Sequence, residues 1–175
     1  MDKPLNVVLL VGSPTPPDEL IRSALGGSAP KAALSRAAGR DVSVSLLSLA
    51  APTTLDGFAS SHVVSPANIP VMDRVAGKLS LDRAATALKA SPLGRLLLSL
   101  GPTDPSRVFW RAVRADPKAL ALLRTADVLL AGDLPAVRTA WHLLHSKQVP
   151  AAFFGLQAAE KVFAARYATS GRAKA

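Results

Sequence analysis

The chain of 175 residues has no cysteine, one tyrosine and only two glutamates, Glu19 and Glu160, and aromatic residues make up 5% of it. Without cysteine there is no disulfide and no thiolate-held metal, so a reducing compartment is the natural one and a cytoplasmic protein is expected. No apolar stretch approaches the roughly 20 residues that a spanning helix needs. Val7 to Val11 follows Lys3, but that run is short for a secretory signal core, and Pro14, Pro16 and Pro17 break what comes after it. Catalytic signatures are also missing: there is no Gly-x-Ser-x-Gly elbow, no Walker loop and no His-Glu-x-x-His. The loop after the first apolar run is not Gly-x-Gly-x-x-Gly, which leaves a dinucleotide without its glycine cradle. Zinc-finger spacing and the aromatic RNA-binding signature do not occur either. Neither a cofactor nor a metal is expected from these residues.

What is present is a repeated switch between short apolar runs and helical spacing. Ala126 to Leu156 shows it best. Val128-Leu129-Leu130-Ala131 is too short to be a helix and stops at Gly132-Asp133. Leu134, Val137, Ala140, Trp141 and Leu144 then recur at helical spacing, and a second apolar run, Val149 to Phe154, ends at Gly155. Strand, helix and strand within about thirty residues is the size of a parallel crossover unit.

The rest of the chain fits that frame. Leu5 to Val11 is continuously apolar, the pattern of a strand buried on both faces. Short helices are predicted around Leu20 to Leu25 and from Pro30 to Ala38, followed by a strand over Val42 to Leu49. In that strand apolar residues alternate with Ser43 and Ser45, which places it nearer the sheet edge. Residues 50–77 read as a loop, with His62-Val63-Val64 and Ile69 to Val71 the only short strand candidates. Helical spacing marks Leu81 to Leu88 and Leu93 to Leu100. Asp104-Pro105 and Asp116-Pro117 each put an N-cap acceptor before a proline at the first helical position. A last helix is predicted over Gln157 to Tyr167. The expected fold class is α/β: a Rossmann-like parallel sheet with helices on both faces, in three layers. One domain over 1–169 carries a basic helical block at 78–125, and 170–175 is a polar tail.

The net charge of +9 is unevenly spread. Residues 1–73 sum to −1, residues 74–125 to +7 and residues 126–175 to +3. A field of this sign favours anionic partners: an acidic protein, an anionic membrane surface or, without a motif to support it, nucleic acid. A solvated arginine-rich face is the alternative.

The opening strand with its Gly12-Ser13 loop, the run Ala126 to Asp133 before the helix Leu134 to His145, and Val149-Pro150 leading the next strand together resemble a known family. It is the N-terminal half of a two-domain, GT-B-type glycosyltransferase, of the large retaining class that includes bacterial mannosyl- and rhamnosyl-transferases. Such enzymes often carry His-x-Asp at the end of the corresponding strand. Here the Asp matches as Asp133, while Ala131 stands where the family often has His. The resemblance implies a Rossmann-like acceptor-side lobe and a sugar or lipid-linked acceptor. It also implies that the nucleotide-sugar site and its paired glutamates would belong to a C-terminal half outside these residues. Sugar transfer would then require that half, or the chain is a stand-alone relative of such a lobe.

In a doubly wound sheet, ligands sit outside the carboxyl ends of the strands where the chain reverses direction. The ligand candidates are therefore Gly12, Ser13, Gly132, Asp133 and Gly155. Asp133 is the best catalytic candidate, and the same residue is well placed to cap the helix that starts at Leu134. Gly12 and Ser13 either offer amides to a phosphate or simply turn the chain. Arg107, Arg111 and Arg114 form one stripe at i, i+4, i+7. Arg138, His142 and His145 do the same opposite an apolar face holding Val137, Trp141 and Leu144. The four arginines 107, 111, 114 and 138 are the candidate anion-binding surface.

Overall fold

A computed structural model describes residues 3–15, 17–18, 30–66 and 104–172. The expected helices around Leu20–Leu25, Leu81–Leu88 and Leu93–Leu100, and the candidate strand Ile69–Val71, lie outside these residues. Five strands, β1 (Leu5–Val11), β2 (Val42–Ser48), β3 (Ser60–Val63), β4 (Val128–Ala131) and β5 (Ala152–Phe154), form one sheet in the order β3-β2-β1-β4-β5. Every neighbouring pair is parallel. The helices are α1 (Pro30–Ala38), α2 (Pro105–Ala115), α3 (Pro117–Arg124), α4 (Leu134–His145) and α5 (Leu156–Arg172). This is the α/β, Rossmann-like arrangement expected from the alternation of apolar runs and helical spacing.

The layering follows from side-chain alternation along β1. Val7, Leu9 and Val11 point to one face and pack with α1 and α5 through Leu34, Ala38, Leu156, Ala159 and Phe163. Val8 and Leu10 point to the other and pack with α2, α3 and α4 through Phe109, Val113, Leu123, Ala136 and Leu143. Both faces of β1 are thus covered, which is why its sequence is apolar without a polar alternate apart from Asn6. Asn6 also has a structural use. Its backbone N–H donates to Asp127 Oδ2 at 2.9 Å, and its side-chain amide donates to the Thr125 carbonyl at 3.2 Å. The residue that opens β4 is thereby tied to the start of β1.

Three elements differ from the sequence expectation. Residues 50–77 are not wholly loop, because Ser60–Val63 pairs with Ser45–Ser48 as the edge strand β3. An edge strand of sequence SSHV buries little, so its hydrophobic pattern is faint; backbone pairing and the buried Val64 behind it hold it in place. The strand β5 is three residues long rather than six, since Pro150 has no N–H to give to a ladder. The helix α5 runs to Arg172, into the stretch assigned to the tail and five residues past Tyr167.

Helix α4 is rotated relative to its expected orientation. Its buried residues are Ala136, Thr139, Ala140 and Leu143. Of Val137, Trp141 and Leu144, expected to face the core, Leu144 is half-buried and the other two lie outward, Val137 38% and Trp141 52% exposed. Small side chains on the inner face let the helix lie close against the tightly filled sheet, and that contact outweighs the burial of the larger apolar residues. On α2 the buried set is Phe109, Ala112 and Val113.

Candidate functional site

The chain reverses direction between β1 and β4, and the residues that follow these strands meet there. Asp133 caps α4 with Oδ1, which accepts from the Ala136 amide at 2.9 Å. The same oxygen accepts from the Gly12 amide at 3.0 Å, and Oδ2 accepts from the Ser13 amide at 2.7 Å. Gly12, Ser13 and Asp133 are therefore brought together, 121 and 120 residues apart in sequence, by one carboxylate that is 8% exposed. An anion already sits on the two amides that a phosphate would need, and it belongs to the protein.

Packing closes the same place. A Cβ on Gly12 would stand 2.9 Å from Pro135 Cβ and 3.0 Å from Phe109 Cδ1, so the loop runs directly beneath α2 and the start of α4. At Gly132 a Cβ would stand 3.2 Å from the Leu10 carbonyl oxygen, and the Gly132 amide donates to that oxygen at 2.8 Å. Gly155 serves as a turn: its φ of +74° is one that side chains rarely adopt, and its amide donates to the Ala131 carbonyl at 2.9 Å.

A second carboxylate does the same beyond β2. Asp18 accepts from the Thr53 amide at 3.0 Å and the Thr54 amide at 3.1 Å, and from the Thr53 hydroxyl at 2.9 Å. These bonds, led by the Thr53 amide, hold its carboxyl below the ordinary aspartate value. The loops at the carboxyl ends of β1 and β2 are thus stitched by internal anions.

The outer faces of α2 and α4 are different. They meet where the Trp110 and His142 rings stack, centroids 4.7 Å apart and nearly parallel. Trp110 also carries the Arg114 guanidinium over its ring at 5.7 Å. On α4, Trp141 stacks with His145 at 4.0 Å and meets His142 edge-on at 5.0 Å, and His145 Nδ1 lies 3.0 Å from the Trp141 carbonyl. Arg107 and Arg114 flank Trp110 by one turn on either side along α2, and Arg138 precedes His142 by one turn on α4. None of Arg107, Arg114 and Arg138 has a carboxylate partner among the described residues, and the Nε atoms of Arg107 and Arg138 are buried without an acceptor. Arg111 shares the α2 helix and is half-buried. His142 registers this crowding of cations: burial first, then Arg138, Arg114 and His145, hold its imidazole below the ordinary histidine value.

Beside the cations lies an exposed apolar ridge. Leu134 is 76% exposed and Phe154, at the end of β5, is 55% exposed. Trp141 and Phe154 line one recess between α4 and β5. Sequence reasoning missed this because helical spacing cannot say which side of a helix meets the sheet when both sides are apolar. It also assigned no role to His62, whose Nε2 lies 2.7 Å from Asp116 Oδ2 and links β3 to the cap of α3. No residue near His62 in sequence foretells that pairing. Among the described residues, no group of three or more His, Asp and Glu side chains is placed to hold a metal, and no helix is long and apolar enough to cross a membrane. Comparison with protein-family models, with curated proteins and with solved structures finds no match for the chain.

Proposed function

We propose that this chain is a Rossmann-like interaction domain that docks an acidic partner against the paired outer faces of α2 and α4. The observation that carries the proposal is the set of cations Arg107, Arg114 and Arg138, without carboxylate partners among the described residues, gathered around the Trp110–His142 stack. Unpaired cations cost little on a solvated helix. Here burial, and after it Arg138 and Arg114, push the His142 imidazole toward neutrality, and an incoming anion relieves the part that these cations cause. The Trp110 ring holds the Arg114 guanidinium in place and lowers the entropy that this long side chain loses on binding.

The glycosyltransferase-side reading rests on the resemblance alone. Its best residue, Asp133, has its carboxylate engaged by three amides of its own chain. A sugar-transferring lobe would need that crevice to open, whereas partner docking uses the half-exposed outer faces of α2 and α4.

The test is a salt series with three anionic probes on the full chain: a polyglutamate peptide, vesicles containing anionic lipid, and a single-stranded oligonucleotide. Binding of polyglutamate at low salt should weaken steeply as salt is raised, because exposed charges are screened over about 8 Å at physiological ionic strength. Arg107→Gln, Arg114→Gln and Arg138→Gln combined should remove most of it with the fold intact. Absence of binding to any probe at low salt would leave the face merely solvated and end the proposal. Binding confined to the oligonucleotide or to vesicles would move the partner class to nucleic acid or membrane.

A further inference from the structure

Outward rotation of α4 does more than expose apolar atoms, for it leaves a recess. Between α4 and the β5 edge is a cleft of about 160 Å³ whose walls are Val137, Trp141, Leu144 and Phe154 and whose floor is made by Ala140 and Ala152. The two alanines create the space and the larger residues wall it. A cavity of about 150 Å³ lined by apolar groups accepts a benzene ring, so this one matches a single leucine or phenylalanine side chain. Its lining presents almost no polar atoms, so it offers nothing to orient a sugar or a nucleotide.

The charge pattern specifies what should enter it. At 100° per residue, Leu134 and Trp141 share the outermost line of α4, Val137 and Leu144 lie on the flank toward β5, and Arg138, His142 and His145 lie on the flank toward α2. An occupant laid along α4 therefore meets an apolar recess on one side and the Arg138 guanidinium with two imidazoles on the other. Neither α2 nor α4 contains an acidic residue, and the chain's net charge is +9, which disfavours a second copy of itself as the occupant. Trp141 is held against both His142 and His145, so it acts as a fixed wall rather than as a free wedge that could enter a bilayer.

Resting on the docking proposal above, we infer that the partner is an acidic protein segment that seats one bulky apolar side chain in the α4–β5 cleft while its carboxylates lie over Arg138 and His145. An anchor in a preformed pocket beside an electrostatic rim is the usual division of labour at a peptide-binding groove: the pocket supplies affinity, the rim register and rate.

The experiment uses the full chain and three labelled probes followed by fluorescence anisotropy: a glutamate-rich peptide with one central leucine, the same peptide with alanine there, and polyglutamate. On the unmodified protein the leucine peptide should bind about tenfold more tightly than its alanine counterpart, as expected for burial of one leucine side chain. Phe154→Ala removes a wall and Val137→Trp fills the recess from its rim, both at exposed positions that tolerate substitution. Each should abolish the preference for leucine and leave polyglutamate binding unchanged, whereas Arg138→Gln should weaken all three probes. Equal binding of the leucine and alanine peptides alongside firm polyglutamate binding would overturn the anchor and keep the cationic face. Failure of all probes at low salt would remove the face and the anchor together. Tight binding to anionic vesicles that Phe154→Ala destroys, with no discrimination between the peptides, would replace the peptide by a bilayer.

Discussion

At the carboxyl ends of β1 and β4, the amides of Gly12, Ser13 and Ala136 are held by Asp133, and Pro135 and Phe109 press against the loop from outside. Along the outer side of α4, Arg138 has no carboxylate partner among the described residues, and Trp141 and Leu134 face outward. The two regions share one helix: its first residues belong to the closed crevice and its later turns to the open face. Topology makes the strand ends the default place for a ligand, yet here they are the more internally satisfied of the two. A switch point supplies amides and a crevice; whether a ligand uses them depends on what the chain puts there first. In this protein a capping carboxylate has taken them, and unsatisfied polar and apolar groups are found to one side.

The sharpest way to break that contrast is Asp133→Ala. Three amides would lose a charged acceptor, two of these bonds being buried, and bonds to charged groups contribute about 1.5–3 kcal/mol each. Stability should fall by roughly 3–6 kcal/mol, the weight of the two buried bonds, read from urea unfolding midpoints with an unchanged slope. A loss near 1 kcal/mol, the size of a helix cap alone, would mean that Gly12 and Ser13 do not depend on the carboxylate and that the crevice is free for a ligand. Gly12→Ala attacks the same region by volume. Its new methyl group would meet Pro135 and Phe109 at 2.9 and 3.0 Å, which should cost about 1–3 kcal/mol by overpacking and speed exchange of the Gly12 and Ser13 amides.

The closed region was legible in the sequence to a degree the open one was not. Gly12-Ser13 and Gly132-Asp133 end two apolar runs, and an aspartate before Leu134-Pro135 is a cap signal, so both roles of Asp133 can be read from local spacing. That its second oxygen reaches Ser13 depends on which strands are neighbours. The parallel order that makes them so also follows from the pattern of runs. The open face depended instead on the rotation of α4 about its axis. Apolar residues surround much of that helix, so periodicity favoured Trp141 and Val137 as core, while the sheet selected Ala136, Thr139, Ala140 and Leu143. The edge strand β3 shows in the sequence only as the short candidate His62-Val63-Val64 for a related reason, because backbone pairing with β2 rather than side-chain burial holds Ser60–Val63.

Asp116 offers an intermediate case, a cap on the helical side that also touches the sheet. It accepts from the Lys118 amide at 2.8 Å and the Ala119 amide at 3.1 Å while its other oxygen faces His62. Asp116→Ala should cost about 1–2 kcal/mol. The His62 bond, foremost, holds the Asp116 carboxyl below its ordinary value. Because the folded value is depressed, the contribution is present above the unfolded carboxylate range. It is lost as pH falls below about 4 and through the folded value. Unfolding curves of the native protein and of Asp116→Ala should therefore converge in acid. If their separation is the same at neutral and acid pH, the bond to His62 has no energetic weight.

The smallest effect on stability is the most informative about the open face. His142 is surrounded by Arg138 and His145 on its own helix and by Arg114 and Trp110 on α2, and with burial as the leading cause it titrates below the ordinary histidine value. A lowered imidazole means that the folded protein binds fewer protons than the unfolded chain between the two values. Stability is then complete above about pH 6.5 and declines as pH falls from there through the lowered value. Arg138→Gln removes the largest of the charge contributions and should raise the His142 value, and Arg114→Gln should raise it less, with unfolding free energies changed by no more than about 0.5 kcal/mol. An acidic partner bound over Arg138 should act in the same direction as these substitutions, since its carboxylates offset the same cations. Binding must then be accompanied by proton uptake and must strengthen as pH falls through the His142 transition. NMR titration of the His142 ring with and without saturating polyglutamate measures both halves of the statement. An imidazole that titrates identically in the two samples would show that the anion, wherever it binds, does not bind here.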